Sequence, residues 1–544
     1  MDGLMQNVPL TVDRITNHAA NWHGARETVS RNAEGRVTRS TYADIHADAK
    51  RVSNALAAEG IKPGDRVATM AWNGARHLAA WYGAAGMGAV LHTLNPRLFL
   101  EQIAYIANHA GDRLLIADPA TAELVEQLLP QVPSIEKVIF FCDRAELPET
   151  SFPAVAFDDW IAGQPAEYDW GGFDENAACG LCYTSGTTGN PKGVLYSHRS
   201  NYIHALMTLQ RDALALSARD TVLLVVPMYH ANAWGVVYSA PAVGAKLVLP
   251  GQRMDGESIY NLIEEEGVTY SAAVPTVWQM LLTYMQENGK RFTTLERVTI
   301  GGSACPESII RTFRDDYGVD VIQGWGMTET SPLGTVSVPS ASVAAKSEDE
   351  QMAYKLKQGR LLCGLEMKLV DDAGNRLPHD GKTPGRLMIK GPTIAGAYYG
   401  GEGGEVLDDE GFFDTGDVST IDGDGYMQIT DRAKDVVKSG GEWISSIEIE
   451  NIAMGHDAVA NAAVVGVAHP KWDERPILLC QLKDGANACA EDLKAYLDGK
   501  IARWWMPDDV LFVDEIPLGP TGKIDKKAIR AGLEGYKLPF EVTR

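Results

Sequence analysis

Tyr183-Thr184-Ser185-Gly186-Thr187-Thr188-Gly189-Asn190-Pro191-Lys192-Gly193-Val194 follows an apolar stretch, Ala178 to Tyr183, that reads as a buried strand, and precedes a helix-like stretch beginning near Ser197. Its glycines let the backbone turn N–H groups inward, its hydroxyls add donors, and Lys192 adds charge, which together make a cradle for phosphate. The spacing is not that of a Walker A loop, because Pro191 stands where the second glycine belongs. A plain surface turn would account for a few of these residue types but not for all of them in this order.

Working outward, the same strand and helix rhythm fills the chain on the N-terminal side. Tyr42, Ile45, Ala49, Val52 and Leu56 recur at helical spacing, Gly60 stops the run, and Arg66 to Trp72 then reads as a strand. Helices are predicted over Gly74 to Met87 and Ala120 to Leu129, and strands over Arg113 to Ala117 and Lys137 to Cys142. Further strands are predicted at Thr221 to Val226, Ala245 to Leu249 and Val298 to Ile300. Repeated strand–helix–strand units imply mainly parallel sheets covered by helices. The texture changes after Gly359, where Glu366 to Val370, a turn at 371–375 and Arg386 to Lys390 read as antiparallel β structure. Ser340 to Lys357 reads as a surface helix or mobile segment. Beyond Asp431 short α+β segments follow, with strands at Ala462 to Val467 and Ile477 to Leu482 and a helix at Glu491 to Ala502.

The expected fold class is therefore α/β: a large N-terminal domain, residues 1–432, of two parallel-type α/β subdomains and a small β subdomain, then a small α+β C-terminal domain, 433–544, for which the family resemblance given below implies mobility. At 544 residues the chain exceeds what one core usually supports. A net charge of −23 argues against nucleic acid or an anionic membrane as partner, since both need a basic face. No apolar run approaches the ~20 residues of a membrane span, and the N-terminus lacks the marks of a secretory signal, so cytoplasmic residence is expected. Seven irregularly spaced cysteines fit a reducing compartment. Cys179-Gly-Leu-Cys182 has CxxC spacing, but without a second pair or a histidine cluster it reads as part of a strand rather than a metal or redox site.

Further segments follow in order: Pro227-Met-Tyr-His230-Ala-Asn-Ala-Trp234, Gly301-Gly-Ser-Ala-Cys-Pro306, Gly324-Trp-Gly-Met-Thr-Glu-Thr330, Asp414-Thr-Gly-Asp417, Asp431-Arg-Ala-Lys-Asp-Val-Val-Lys-Ser-Gly-Gly-Glu442 and Pro520-Thr-Gly-Lys523-Ile. With the loop at 183–194, this series over nearly the whole chain resembles the adenylate-forming superfamily of acyl-CoA synthetases, luciferases and peptide-synthetase adenylation domains. The resemblance implies ATP, Mg²⁺ and coenzyme A as cofactors or co-substrates and a small carboxylic acid as substrate. To adenylate an acid, a carboxylate must attack the α-phosphorus of ATP, so two anions have to be held together by cations.

By resemblance, Thr184, Ser185, Gly186, Thr187, Thr188, Gly189 and Lys192 hold the phosphates, Thr328 donates to the α-phosphate, and Glu329 with Thr184 holds Mg²⁺. Gly302, Ser303, Trp325 and Gly326 belong to the nucleotide site, Trp325 taking the place of the usual adenine-stacking tyrosine. Asp417 and Arg432 suit the ribose, or form an ion pair with one another. Lys523 is the expected electrostatic catalyst of adenylation, whereas Lys526 and Lys527 read as a solvated face. The second half-reaction, attack by a thiol, needs the space that Lys523 occupies; the resemblance puts the hinge for the required rotation at Lys434. Gly440, Gly441 and Glu442 would then face the pantetheine arm, unless the glycines are an ordinary turn, and Lys438 would orient the acyl or thiol end. His230 and Trp234 match positions beside the acyl carboxylate and at the mouth of the acyl tunnel.

The resemblance is nearest to bacterial short- and medium-chain ligases, such as those for 3-(methylthio)propanoate, and to long-chain fatty acyl-CoA synthetases. It also implies a homodimer. Rival readings are a luciferase-like oxygenase, a free-standing adenylation domain and a nucleotide-binding regulator without chemistry; joint retention of Lys192, Glu329, Asp417 and Lys523 speaks against the last.

Overall fold

In a computed structural model the chain is described at residues 1, 3–184, 190–432, 435–439, 442–519 and 523–539, with the backbone only at 442 and 443. Strands such as Leu114–Ala117, buried at every position, lack the alternation of a half-exposed strand because helices cover both faces of their sheet. They build a seven-stranded sheet in the order Ala154–Ala156, Lys137–Phe140, Leu114–Ala117, Arg66–Met70, Val90–Thr93, Ala178–Tyr183, Gly193–Ser197. All its pairings are parallel except the last, where Ala178–Tyr183 runs antiparallel to Gly193–Ser197. A nine-stranded sheet has a parallel centre, through Asp320–Gly326, Arg297–Ile300, Tyr270–Ala273, Thr221–Leu223, Lys246–Leu249 and Glu27–Arg31, and antiparallel strands at both edges.

The helix Ala75–Gly86 is buried from His77 onward. Gly83 allows it to lie against the helix Tyr42–Ala58, since a Cβ there would stand 2.7 Å from both the Ala49 carbonyl oxygen and the Val52 Cβ. Its aromatic residues bury their polar ends in hydrogen bonds: Trp81 Nε1 donates to the Tyr238 hydroxyl at 2.9 Å, and Tyr82 donates to the Val237 carbonyl at 2.7 Å. Tyr42–Ala58 itself starts on a reciprocal cap between Thr41 and Asp44 and buries the predicted apolar face.

A four-stranded antiparallel sheet, Glu366–Val370, Gly385–Lys390, Phe413–Ile421 and Met427–Arg432, follows. Residues between 437 and 538 form two cores of their own around the long hairpin Val459–His469 and Asp473–Leu482. Most predicted elements are present with shifted ends. The strand predicted to Val226 stops at Leu223, and the helix predicted over Glu491 to Ala502 is Ala490–Leu497. That helix stops because Asp498 is extended (ψ 132°) and Gly499 is left-handed (φ 76°). The polar stretch 340–357 contains two helices, Ala341–Ala344 and Glu348–Lys355, each capped by a serine, Ser340 and Ser347.

Candidate active site

A cavity of about 580 Å³ opens where the parallel strands Ala178–Tyr183, Arg297–Ile300 and Asp320–Gly326 end at their C-terminal edges, the usual ligand position in an open α/β sheet. Of the residues singled out from the sequence, Thr184, Lys192, His230, Trp234, Gly302, Trp325, Gly326, Thr328, Glu329, Arg432 and Lys523 line it. Asp417 joins through its carboxylate, which accepts from Trp325 Nε1 at 2.9 Å. Ser303 is exposed and Lys438, exposed on the strand Val437–Ser439, also lies outside the lining. Ser185, Gly186, Thr187, Thr188, Gly189, Lys434, Gly440 and Gly441 lie outside the described residues, as does the side chain of Glu442.

Two bonds join the residues flanking the segment expected to hold phosphate: Thr184 N–H donates to the Lys192 carbonyl at 2.9 Å, and Lys192 N–H donates to Thr184 Oγ1 at 3.1 Å. Lys192 Nζ stands 4.8 Å from the centre of the Tyr398 ring. The Tyr398 hydroxyl in turn donates to Glu329 Oε1 at 2.6 Å. Tyr398 therefore ties the loop to the carboxylate, and nothing in the sequence pattern had marked it. Glu329 is 5% exposed, and burial raises its pKa, an effect that the Tyr398 hydrogen bond and then Arg432 oppose. A buried carboxylate of this kind, lining the same cavity as Thr184, fits a divalent cation that takes its remaining ligands from phosphate and water, as Mg²⁺ does.

Trp325 packs so closely on Gly334 that a Cβ there would fall 2.6 Å from its ring. Gly326 has no alternative residue, because a Cβ would meet the Pro332 carbonyl oxygen at 1.9 Å. Asp417 and Arg432, opposite one another on neighbouring strands, form a loose ion pair, Nε to Oδ1 3.5 Å, so the pairing left open by the sequence is present. Burial raises the pKa of Asp417, while Arg432 and the Trp325 hydrogen bond lower it.

Lys523 enters the same cavity from the C-terminal unit, its Cε 3.6 Å from where a Cβ on Gly302 would stand. Burial and then Arg432 push its pKa down to about 8, against the opposite pull of Asp417 and Glu329. His230 is pushed down to about 4 by burial and by Lys523, so it is neutral at physiological pH. Trp234 lies over the glycines that follow the strand Arg297–Ile300, 3.1 Å from a Cβ position on Gly301.

One expectation is corrected. Lys526 does not belong to a solvated face: its side chain is 11% exposed, its Nζ pairs with Glu450 Oε1 at 2.8 Å, and it donates to Ser446 Oγ. Lys527 is exposed. Cys179 and Cys182 are buried free thiols, and burial pushes Cys179 up to about 12.

The family model described as AMP-binding enzyme matches residues 15–399, and that of the AMP-binding enzyme C-terminal domain matches 448–523. The chain is 48% identical over 531 residues to a 3-methylmercaptopropionyl-CoA ligase of Ruegeria lacuscaerulensis, covering 97% of this chain and 98% of that protein. It is 47% identical to a medium-chain-fatty-acid–CoA ligase of Ectopseudomonas oleovorans, covering 97% of each. The fold matches the crystal structure of the anthranilate CoA ligase AuaEII in complex with anthranoyl-AMP, with a TM-score of 0.85, 24% identity, and coverage of 97% of this chain and 99% of that one. The chain thus belongs to the AMP-binding enzymes, the adenylate-forming superfamily, as an AMP-forming acyl-CoA ligase.

Proposed function

We propose that this ligase activates a short- or medium-chain carboxylic acid, with 3-(methylthio)propanoate as first choice, and that the substrate binds between His230 and Trp234 on one side and the nucleotide on the other. The observation that carries the reading is the meeting of Lys523 with Glu329, Asp417, Arg432 and His230 around one cavity. Lys192 and the loop N–H groups hold the triphosphate, Thr328 faces the α-phosphate, and Trp325 lies against the adenine. Asp417 and Arg432 receive the ribose. The Lys523 ammonium bridges the attacking carboxylate and the phosphate oxygens, where negative charge accumulates in the transition state. Glu329 and Thr184 hold Mg²⁺, which supplies further neutralisation of the triphosphate.

In this arrangement Lys523 is in the cavity and Lys438 outside it, which is the order needed for adenylation rather than thiol transfer. We take 1–432 and 433–544 as the two domains, Lys434 as the hinge between them, and Gly440, Gly441, Glu442 and Lys438 as the face turned to coenzyme A in the second half-reaction. A cytoplasmic homodimer completes the reading; seven free thiols accord with a reducing compartment, and no helix among the described residues is long and apolar enough to cross a membrane.

The test is a panel of acids, 3-(methylthio)propanoate and straight-chain acids from propanoate to palmitate, assayed for AMP and pyrophosphate with and without coenzyme A. Thioester and AMP formed with both acid and thiol present, ranked with 3-(methylthio)propanoate first, support the reading. A ranking headed by palmitate overturns the substrate assignment, and ADP as product overturns the chemistry.

A further inference from the structure

Between His230 and the helix Val236–Val243 the chain takes five successive left-handed residues: Ala231 (φ 44°), Asn232 (56°), Ala233 (47°), Trp234 (55°) and Gly235 (78°). L residues visit this region singly; a run of four non-glycine residues persists only where its surroundings impose it. Those surroundings are visible and polar. Ala231 N–H donates to Cys182 Sγ at 3.4 Å, and Asn232 Nδ2 donates to Asn201 Oδ1 at 3.3 Å. Asn201 is fixed in its turn, its Nδ2 donating to the Tyr238 hydroxyl at 3.2 Å and to Cys179 Sγ at 3.3 Å. Asn232, Asn201, Cys179 and Cys182 are each at most 3% exposed, so these bonds have no competition from bulk water.

The turn does not project into solvent. Its two ends, His230 and Trp234, line the cavity, and the Trp234 ring stands over Gly301 and Gly302. A left-handed run reverses the side-chain directions that an ordinary helical turn would give, so the ring positions depend on keeping the run intact.

We infer that Asn232, Asn201, Cys179 and Cys182 are positioning residues for the acyl side of the reaction: by holding the left-handed turn they set where His230 and Trp234 stand, and hence which acids fit. The CxxC pair thereby has a function that is neither metal binding nor redox chemistry, namely to supply two buried sulfur acceptors. The inference rests on the reading that His230 and Trp234 adjoin the acyl group.

Two sets of variants of the full chain test it. Asn232→Gly keeps access to the left-handed region but removes the amide that Asn201 holds. Cys182→Ala removes the acceptor of the Ala231 N–H, and Cys182→Ser restores one. Pyrophosphate release is followed with acids from propanoate to octanoate, KM being measured separately for each acid and for ATP. Asn232→Gly and Cys182→Ala are expected to raise the acid KM on the order of tenfold and to flatten the chain-length ranking. The ATP KM should stay within about twofold, and Cys182→Ser should return the ranking toward that of the parent enzyme. Unchanged ranking and acid KM in both variants, or equal shifts in the acid and ATP KM, overturn the inference. Should Asn232→Gly fail to fold, the alanine and serine variants at Cys182 decide alone. A parent enzyme that adenylates acids while these variants leave selectivity untouched sinks this inference only; a parent enzyme that releases no pyrophosphate with any acid sinks the underlying reading and this with it.

Discussion

At Lys523 opposing influences meet on one ammonium: burial and Arg432 push its pKa down to about 8, and Asp417 and Glu329 push it up. Below that pH the charge needed between carboxylate and phosphate is present; above it the charge is lost. His230, at about 4, stays neutral throughout and adds no limb in this range. The kcat/KM for adenylation should therefore fall with a one-proton slope as the pH rises through about 8. Pyrophosphate release measured across that range checks this, and Lys523→Arg should abolish the alkaline limb, since a guanidinium keeps its proton. Lys523→Ala should lower adenylation on the order of a hundredfold below about pH 8, and the deficit should shrink as the parent enzyme loses the charge at higher pH. The neighbouring Glu329 gives a second expectation. Tyr398→Phe keeps the ring beside Lys192 but removes a hydrogen bond worth about 1–3 kcal/mol to a buried carboxylate, so half-saturating magnesium should rise severalfold at fixed ATP. An unchanged magnesium titration would count against Tyr398 as a support of the metal site. Glu329 and Lys523 were legible because their neighbours in sequence carry the motif. Tyr398 was not, because its bond to Glu329 spans 69 residues and exists only once the fold has closed.

Among the elements, those whose signal is local were read well. The strand Ala178–Tyr183 has the predicted ends because an apolar run meets a glycine- and threonine-rich loop, and the helix His198–Thr208 starts on Ser197 as its cap. Burial of a charged residue is not local, and there the reading failed. Lys526 opens the helix Lys526–Gly532, three residues after Lys523, and anchors it to Glu450 on the helix Ser446–Ala453. Glu450 also accepts from the Val464 N–H at 2.7 Å, so the pair joins two helices and the central hairpin. Lys526→Ala should strand a buried carboxylate and destabilise the C-terminal unit by about 3–5 kcal/mol, whereas replacing both members by leucine or methionine should cost much less. Urea unfolding of the parent, Lys526→Ala and the double variant measures this. A double variant as unstable as Lys526→Ala would show that packing, not the stranded charge, sets the loss.

For the molecule as a whole, the division into a large body and a small C-terminal unit could be read from the change of texture along the chain, but the orientation of the two could not. Hydrogen bonds cross the junction between them, among them one to Asp431 at the end of the strand Met427–Arg432. Its Oδ2 accepts from the Ser446 N–H at 2.7 Å, and Ser445 Oγ donates to the Thr430 carbonyl. Both bonds cross residue 434, so if the hinge lies at Lys434, rotation toward the thiol-transfer state must break them, and they favour the adenylation orientation. A hydrogen bond from a buried N–H to a carboxylate contributes about 1.5–3 kcal/mol. Its loss in Asp431→Ala would move the equilibrium between orientations by roughly ten- to a hundredfold. Adenylation, followed by pyrophosphate release, should fall accordingly, while thioester formation from a supplied acyl-adenylate should be undiminished or faster. Enlarging Gly441 to a bulky residue should do the reverse, because it obstructs the thiol and spares the first step. If Asp431→Ala and the Gly441 variant each reduce both half-reactions by the same factor, the two-orientation account is wrong and Lys523 serves a site that does not open.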